Sequence, residues 1–325
     1  MWFKAIQVLR ITPAHGQGLE AFQDGLQKQP IGPCPGNVSQ THGWVSPFGA
    51  RHNQLVVSVG PLHLVEFVLA KRLLPQDVVK QTLELRVAQL EEKQGGVPIS
   101  KREQRRMQDE IHFELLPKAF VQQKSVQMIW HQETGYLYVG TTQSAMIDAL
   151  IASLAYCCPG WRIEVVSALK GVESSLTNWL RGQDGLPKDF TWDDACQLLD
   201  PANRFASIRF TGNDIASPVV RNHLQDGLQV KQAALIWRDQ IRFVLTQGLG
   251  ISQIKYLDIE KDHGADDAKE AIIMADLALL GPIYHAWFTD VLQALGGESR
   301  TKQSGEIDTI DLIQEVEDVS LSAAE

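Results

Sequence analysis

Residues 71–124 read KRLLPQDVVKQTLELRVAQLEEKQGGVPISKREQRRMQDEIHFELLPKAFVQQK, and here pattern, punctuation and charge agree. Pro75 has the fixed φ suited to a first helical turn. Behind it Val78, Val79, Leu83, Leu85, Val87 and Leu90 form a loose apolar face among polar residues. Gly95 and Gly96 break that run. Ser100, with Glu103 three residues on, is a capping box that opens a second helix. Met107, Ile111 and Leu115 then recur at four-residue spacing before Pro117. The spacing predicts a helical hairpin, two helices of about four turns, each reaching roughly 25 Å at 1.5 Å per residue.

The same stretch carries eleven Lys and Arg against eight Asp and Glu, a net +3, whereas the whole chain is −9. A basic arm on an acidic protein is what a phosphate-seeking element looks like. A solvated hairpin whose charges only keep it soluble has the same composition.

Working outward, 325 residues with 44% apolar content suffice for two or more domains with proper cores. The opening MWFKAIQVLR has no uninterrupted apolar segment and does not read as a signal peptide. No run approaches the ~18 apolar residues of a membrane span. Cys34, Cys157, Cys158 and Cys196 lack C-x-x-C spacing, which fits reduced thiols in a cytoplasmic protein.

Residues 2–11 are strand-like, and a short helix follows from about Gln17 to Lys28. The loop Pro30-Ile-Gly-Pro-Cys-Pro-Gly36 and the turn Gly43-Trp44-Val45-Ser46-Pro47-Phe48-Gly49 lead to a strand pair, 54–59 and 62–70. After the hairpin come strands 126–131 and 135–140, a helix capped by Ser144, and strand 161–166. A second unit follows. It has helical pieces at 173–180 and 192–199, a strand at 205–210, and a helix opened by Ser217-Pro218. Three strands at 229–237, 240–246 and 251–257 precede a long helix from Asp266-Asp267 to Leu295, kinked at Gly281-Pro282. The fold class is therefore α+β: two mixed domains with mainly antiparallel sheets and an inserted, projecting helical hairpin.

From Glu298 to Glu325 there are eight acidic and two basic residues, with Ile310, Ile313 and Val316 helically spaced. Two readings stand for this tail. One is a solubilising segment, the other an amphipathic peptide that docks on a partner or on the protein's own basic surface.

Catalytic signatures are missing: no GxxxxGK[ST], no strand-GxGxxG-helix, no GxSxG and no HExxH. His263 near Asp262, Asp266 and Asp267 lacks ligand spacing and reads as a polar loop before a helix. Cys34 reads as a buried structural thiol, and most tryptophans as core. No metal or cofactor is expected.

The opening Trp2-Phe3-Lys4, Pro33-Cys34, Gly43-Trp44-Val45 with Pro47 and Gly49, Leu74-Pro75 followed by Val79-Lys80-Gln81, Leu115-Leu116-Pro117-Lys118-Ala119-Phe120, and Leu295-Gly296-Gly297-Glu298 together resemble the recombination-associated protein RdgC family. The resemblance runs in order from residue 1 to about 298. It implies a cytoplasmic, nucleoid-associated DNA-binding protein without catalytic activity. It further implies a homodimer closed at both ends into a ring around duplex DNA, restraining the recombinase RecA; the choice between duplex and single-stranded DNA stays open.

Under that resemblance residues 1–70 with 119–165 are a centre domain, 71–118 a tip, 166–297 a base and 298–325 an acidic tail. Lys118 and Phe120 match an LLP[RK]AF motif implicated in DNA function, with Lys in place of the two-pronged Arg. The residues expected at phosphates are Lys71, Arg72, Lys80, Arg86, Lys101, Arg102, Arg105, Arg106, Lys118 and Arg209, with Phe120 beside them. Ring closure at the tip is expected from Val79, Leu83 and Leu90 or from Met107, Ile111 and Leu115. The alternative is a module that binds recombination or replication proteins directly, with DNA contact secondary.

Overall fold

The computed structural model describes residues 2–49, 51–203, 206–212, 214–259 and 268–299. The loop at Asp262, His263, Asp266 and Asp267, the strand start at Phe205, and the tail beyond Ser299 lie outside the described residues.

In chain order the first half contains β1 (Gln7–Thr12), α1 (Leu19–Leu26), β2 (Gln40–Val45), β3 (Val57–Val59), β4 (Leu62–Leu73), α2 (Gln76–Lys93), α3 (Lys101–Leu115), β5 (Phe120–His131), β6 (Tyr136–Val139), α4 (Ser144–Cys157) and β7 (Arg162–Val165). The second contains α5 (Val172–Arg181), β8 (Phe190–Leu199), β9 (Ser207–Thr211), α6 (Pro218–Gln225), β10 (Gln229–Trp237), β11 (Ile241–Thr246), β12 (Gly250–Tyr256) and α7 (Lys269–Ala294). This is a mixed α+β protein with two antiparallel sheets. The first sheet runs β2-β4-β5-β6-β1-β7, with β3 on the end of β4, and the second runs β12-β11-β10-β8-β9.

Alternation along the strands decides what each face meets. On one face of the first sheet, Leu9, Ile11, Phe67, Met128 and Trp130 bury against Phe22 of α1 and Leu150 and Leu154 of α4. On the other, Val8, Leu62, Leu64 and Ile129 join a core that includes Tyr284, Trp287 and Phe288 of α7 and Leu235, Phe243 and Leu245 of the second sheet. α7 therefore packs against both sheets. Trp287 meets Phe243 edge-on at 4.8 Å between ring centroids, and His285 Nδ1 lies 3.1 Å from the Tyr138 hydroxyl. Gly281 permits the approach to β4, because a Cβ there would sit 2.4 Å from Leu62 Cδ1.

α2 and α3 follow the sequence pattern closely. The Ser100 side chain accepts a hydrogen bond from the Glu103 amide at 3.3 Å. Arg86 donates to both carboxylate oxygens of Glu114 across the two helices, at 3.2 and 2.8 Å. The Ile99 amide donates to Glu91 at 3.0 Å, closing the loop between them.

Several boundaries differ from expectation. Pro75 is the N-cap of α2 (φ −61°, ψ 136°), not its first helical residue. Ser144 is the first residue of α4, which Gln143 caps. α7 runs through Gly281-Pro282 as one element, with Pro282 exposed on its solvent side. Residues 192–199 are strand, not helix. Trp192 pairs with Leu235 and Cys196 with Ala233, so four residues of β8 advance against two of β10. That bulge gives Trp192, Cys196 and Leu199 a spurious helical spacing. β5 begins at Phe120, six residues before the expected start at Val126. Its outer half is paired all along with β4, from Leu73↔Phe120 to Leu62↔His131.

Candidate nucleic-acid interface

Odd-numbered β4 residues and even-numbered β5 residues share one face of the β4–β5 ribbon. Near the middle of the sheet that face is core, with Phe67 opposite Val126. Farther out the ladder continues as Leu69↔Lys124, Lys71↔Gln122 and Leu73↔Phe120. Lys71 and Lys124 are exposed and have no ion-pair partner among the described residues. Phe120 is 85% exposed and Leu73 46%.

What holds Phe120 out is the segment before it. Leu116 is buried, and Leu116–Lys118 form one 3-10 turn closed by the Ala119 amide on the Leu116 carbonyl at 3.2 Å. Lys118 is exposed. Arg72, from β4, donates to the carbonyls of Leu116, Pro117 and Ala119 at 3.2, 3.1 and 3.1 Å. It also donates to those of Cys34 and Pro35, at 2.9 and 3.2 Å. Gly36 packs beside Pro117, where a Cβ would lie 3.4 Å from the proline Cβ. One guanidinium thus ties the proline-rich loop at 33–36 to the LLPKAF segment.

The expected phosphate-contacting residues divide accordingly. Arg72 donates to five backbone carbonyls and holds the chain at 34–35 and 116–119 together. Arg86 is engaged by Glu114, and the pairing holds the Glu114 carboxyl below its ordinary range. Arg106 pairs with Glu110 at 3.2 Å one turn along α3. Lys71, Lys80, Lys101, Arg102, Arg105, Lys118 and Arg209 are exposed. Arg209 stands away from the ribbon, on β9 opposite Gln197 in the second sheet. Lys124 is an addition: it shares a side of β5 with Phe120 and Gln122, which only the strand pairing with β4 reveals.

The residues expected to close a ring also divide. Val79, Met107 and Ile111 are buried within the chain, and Leu83, Leu90 and Leu115 are half-buried. The open apolar groups on these helices and their loop are Val78, Leu85, Val97 and Phe113, at 43%, 67%, 58% and 68% exposed.

For chemistry, the described residues contain no group of three or more His, Cys, Asp and Glu suited to a metal ion. Burial pushes the thiols of Cys158 and Cys196 up to about 11, away from thiolate at neutral pH. Cys34 is half-buried, not fully enclosed as expected, and lies in the loop that Arg72 holds.

A family described as "Putative exonuclease, RdgC" matches residues 1–298. A recombination-associated protein RdgC from Dechloromonas aromatica is 27% identical over 303 residues, spanning 92% of this chain and 98% of its own. Its namesake from Laribacter hongkongensis is 27% identical over 302 residues, spanning 92% and 99%. That from Paraburkholderia phymatum is 29% identical over 300 residues, spanning 92% and 97%. The chain belongs to the RdgC family.

Proposed function

We infer from this family membership and from the ribbon end that the protein binds DNA through its phosphates, with little base readout. The observation that carries the reading is the arrangement at residues 116–124. Arg72 fixes the backbone so that Lys118 and a nearly bare Phe120 stand beside Lys71 and Lys124. A large aromatic held in water at a lysine-lined site is suited to stacking on a base or sugar while the cations meet phosphates. The chain is otherwise acidic, so contact with a polyanion is confined to such local surfaces.

The assembly we propose is a homodimeric ring around duplex DNA, with 71–118 as one clasp, residues 1–70 with 119–165 as its centre and 166–297 as its base. In it the half-buried Leu83, Leu90 and Leu115 close one contact together with Leu85 and Phe113, since Val79, Met107 and Ile111 are used internally. Occupying DNA in this way withholds it from RecA, and places the protein in the cytoplasm at the nucleoid.

Gel shifts on duplex across a salt series test the phosphate mechanism. Affinity should fall by roughly 0.9 log unit per log salt for each phosphate neutralised; a flat salt response would sink it. Retention on a closed circle should outlast retention on the same DNA linearised, and equal lifetimes would exclude a ring. The family's description names an exonuclease, whereas we propose a protein that does not cut. Incubation of end-labelled DNA with Mg²⁺ decides between them: shortening that EDTA abolishes would make it a nuclease.

A further inference from the structure

The face of the second sheet turned away from α7 holds a hollow of about 130 Å³. It is lined by Ala195 of β8, Arg209 and Thr211 of β9, Gln232 of β10, Val244 of β11 and Gln253 of β12. The alternation that sends Leu235, Phe243 and Leu245 into the core leaves these residues on the outer side. Pockets for drug-sized ligands run to about 300–1,000 Å³, so this one has room for a single heterocycle.

Its shape comes from the strands. Ala195 and Val244 are small enough to form a floor. Gln232, Gln197 and Arg209 stand opposite one another across β10, β8 and β9 and make a polar wall beside it. Register shifts flank the floor, between Ala233 and Leu235 where β10 meets β8 and between Arg242 and Val244 where β11 meets β12. A bulge bends its strand and re-aims a side chain. At the second of these shifts Gln253 takes a left-handed backbone conformation, φ +52°. Such strain in a residue with a side chain clusters at binding sites.

The groups that face the hollow are not used by the fold. The side-chain amides of Gln232 and Gln253 and the guanidinium of Arg209 have no hydrogen-bond or ion-pair partner among the described residues. Gln253 and Arg209 are exposed and Gln232 is half-buried. Arg209 is also the expected phosphate contact that the β4–β5 ribbon does not account for.

We propose that this hollow binds one unpaired nucleobase of a DNA strand, with the adjoining phosphate on Arg209. The proposal rests on the DNA-binding reading above and adds to it a subsite for a nucleotide that has left the duplex stack. A side-chain amide carries both donor and acceptor and can turn either toward the edge of a purine or pyrimidine. Two of them therefore accept any base. Laid flat, the base covers Ala195 and Val244, the way strand faces take single-stranded bases in RNA-binding sheets. A paired base is excluded, because its partner already occupies that edge and the hollow is too small for a pair.

The test uses the full-length protein and two DNAs of one sequence, a fully paired duplex and the same duplex with one extra, unpaired 2-aminopurine nucleotide. The extra base should tighten binding roughly tenfold, the order of one bound base, and its fluorescence should rise as it leaves the stack. Gln232→Leu removes an amide at similar size, and Gln253→Gly accepts the left-handed backbone without strain. Each should abolish most of the preference, with affinity for the paired duplex and the thermal melt kept. Equal affinity of the unaltered protein for both DNAs, or a preference that survives both substitutions, overturns the proposal and leaves the ribbon reading standing. Failure to bind either DNA overturns both. Independently, 4-thiothymidine at the unpaired position should crosslink the unaltered protein within residues 190–256; crosslinks confined to residues 116–124 overturn the proposal as well.

Discussion

At the inner end of the β4–β5 ribbon, Trp130 has no exposed surface and lies among Phe22, His63 and Trp161, with ring centroids 4.9, 5.3 and 5.7 Å away. Ten residues earlier on the same strand, Phe120 is 85% exposed. Both belong to one uninterrupted antiparallel ladder. The backbone pairing is the same at both ends, so side chains and their neighbours make the difference. Inside, helices α1 and α4 cover the face. Outside, nothing among the described residues does, and the ladder serves to hold Lys71, Lys124 and Phe120 in register. An aromatic that would stabilise the protein if covered is left open where it can meet something else.

The largest effect should come from the inner end. Trp130→Ala is expected to lower unfolding free energy by about 3–5 kcal/mol, read by chemical denaturation. Trp130→Phe should cost far less, because Trp130 Nε1 has no hydrogen-bond partner among the described residues to lose. Next comes Arg72→Ala at the junction. It strips a charged donor from five carbonyls, and each hydrogen bond to a charged group is worth about 1.5–3 kcal/mol; a net loss of about 2 kcal/mol is expected. Amide exchange at residues 116–121 should rise in step, and DNA affinity should drop through the loss of that backbone positioning. If DNA binding falls while exchange is unchanged, the positioning role is wrong.

At the outer end, Phe120→Ala should leave stability within about 0.5 kcal/mol. It should weaken DNA binding by about 1–3 kcal/mol, the worth of one stacked base. A stability loss comparable to that at Trp130 would erase the contrast between the two ends. Lys71→Gln with Lys124→Gln should reduce the slope of log affinity against log salt by about 0.9 per phosphate lost, with the melt unchanged.

The smallest effect concerns the histidines of the inner end. Burial lowers His63, His131 and His285 from 6.5, and the His131 and His285 rings are 4.7 Å apart. Because their folded pKa values lie below the unfolded one, the unfolded chain takes up protons first, and stability is lost as pH falls below about 6.5. The melting temperature should therefore decline between pH 7.5 and 5.5. His131→Gln with His285→Gln should flatten that decline.

Much of this was legible in the residues. Ser100 with Glu103, the Gly95-Gly96 break and the 107/111/115 spacing placed α2 and α3 almost to the residue. Their apolar positions could not be divided into inward and outward sets, because α2 carries apolar residues most of the way round. β8 was misread, since a bulge gives a strand the spacing of a helix. The outer half of β5 was missed for the reason that makes it interesting. VQQKS has no alternation, because neither of its faces is buried. The charge of Arg72 is visible in the sequence, and the five carbonyls that take up its donors are not.

The core that runs through α7 has a consequence for taking the molecule apart. Tyr284, Trp287 and Phe288 are interior to both sheets at once, so a gene fragment ending near residue 165 would leave Val8, Leu62, Leu64 and Ile129 facing water, and the complementary fragment would bare the aromatic side of α7. Neither piece should be recoverable in soluble form. Any exchange of segments between homologues should be placed at the ends of the α2–α3 insertion, whose chain crossings at 73–76 and 115–120 are few, and not at the passage from one sheet to the other.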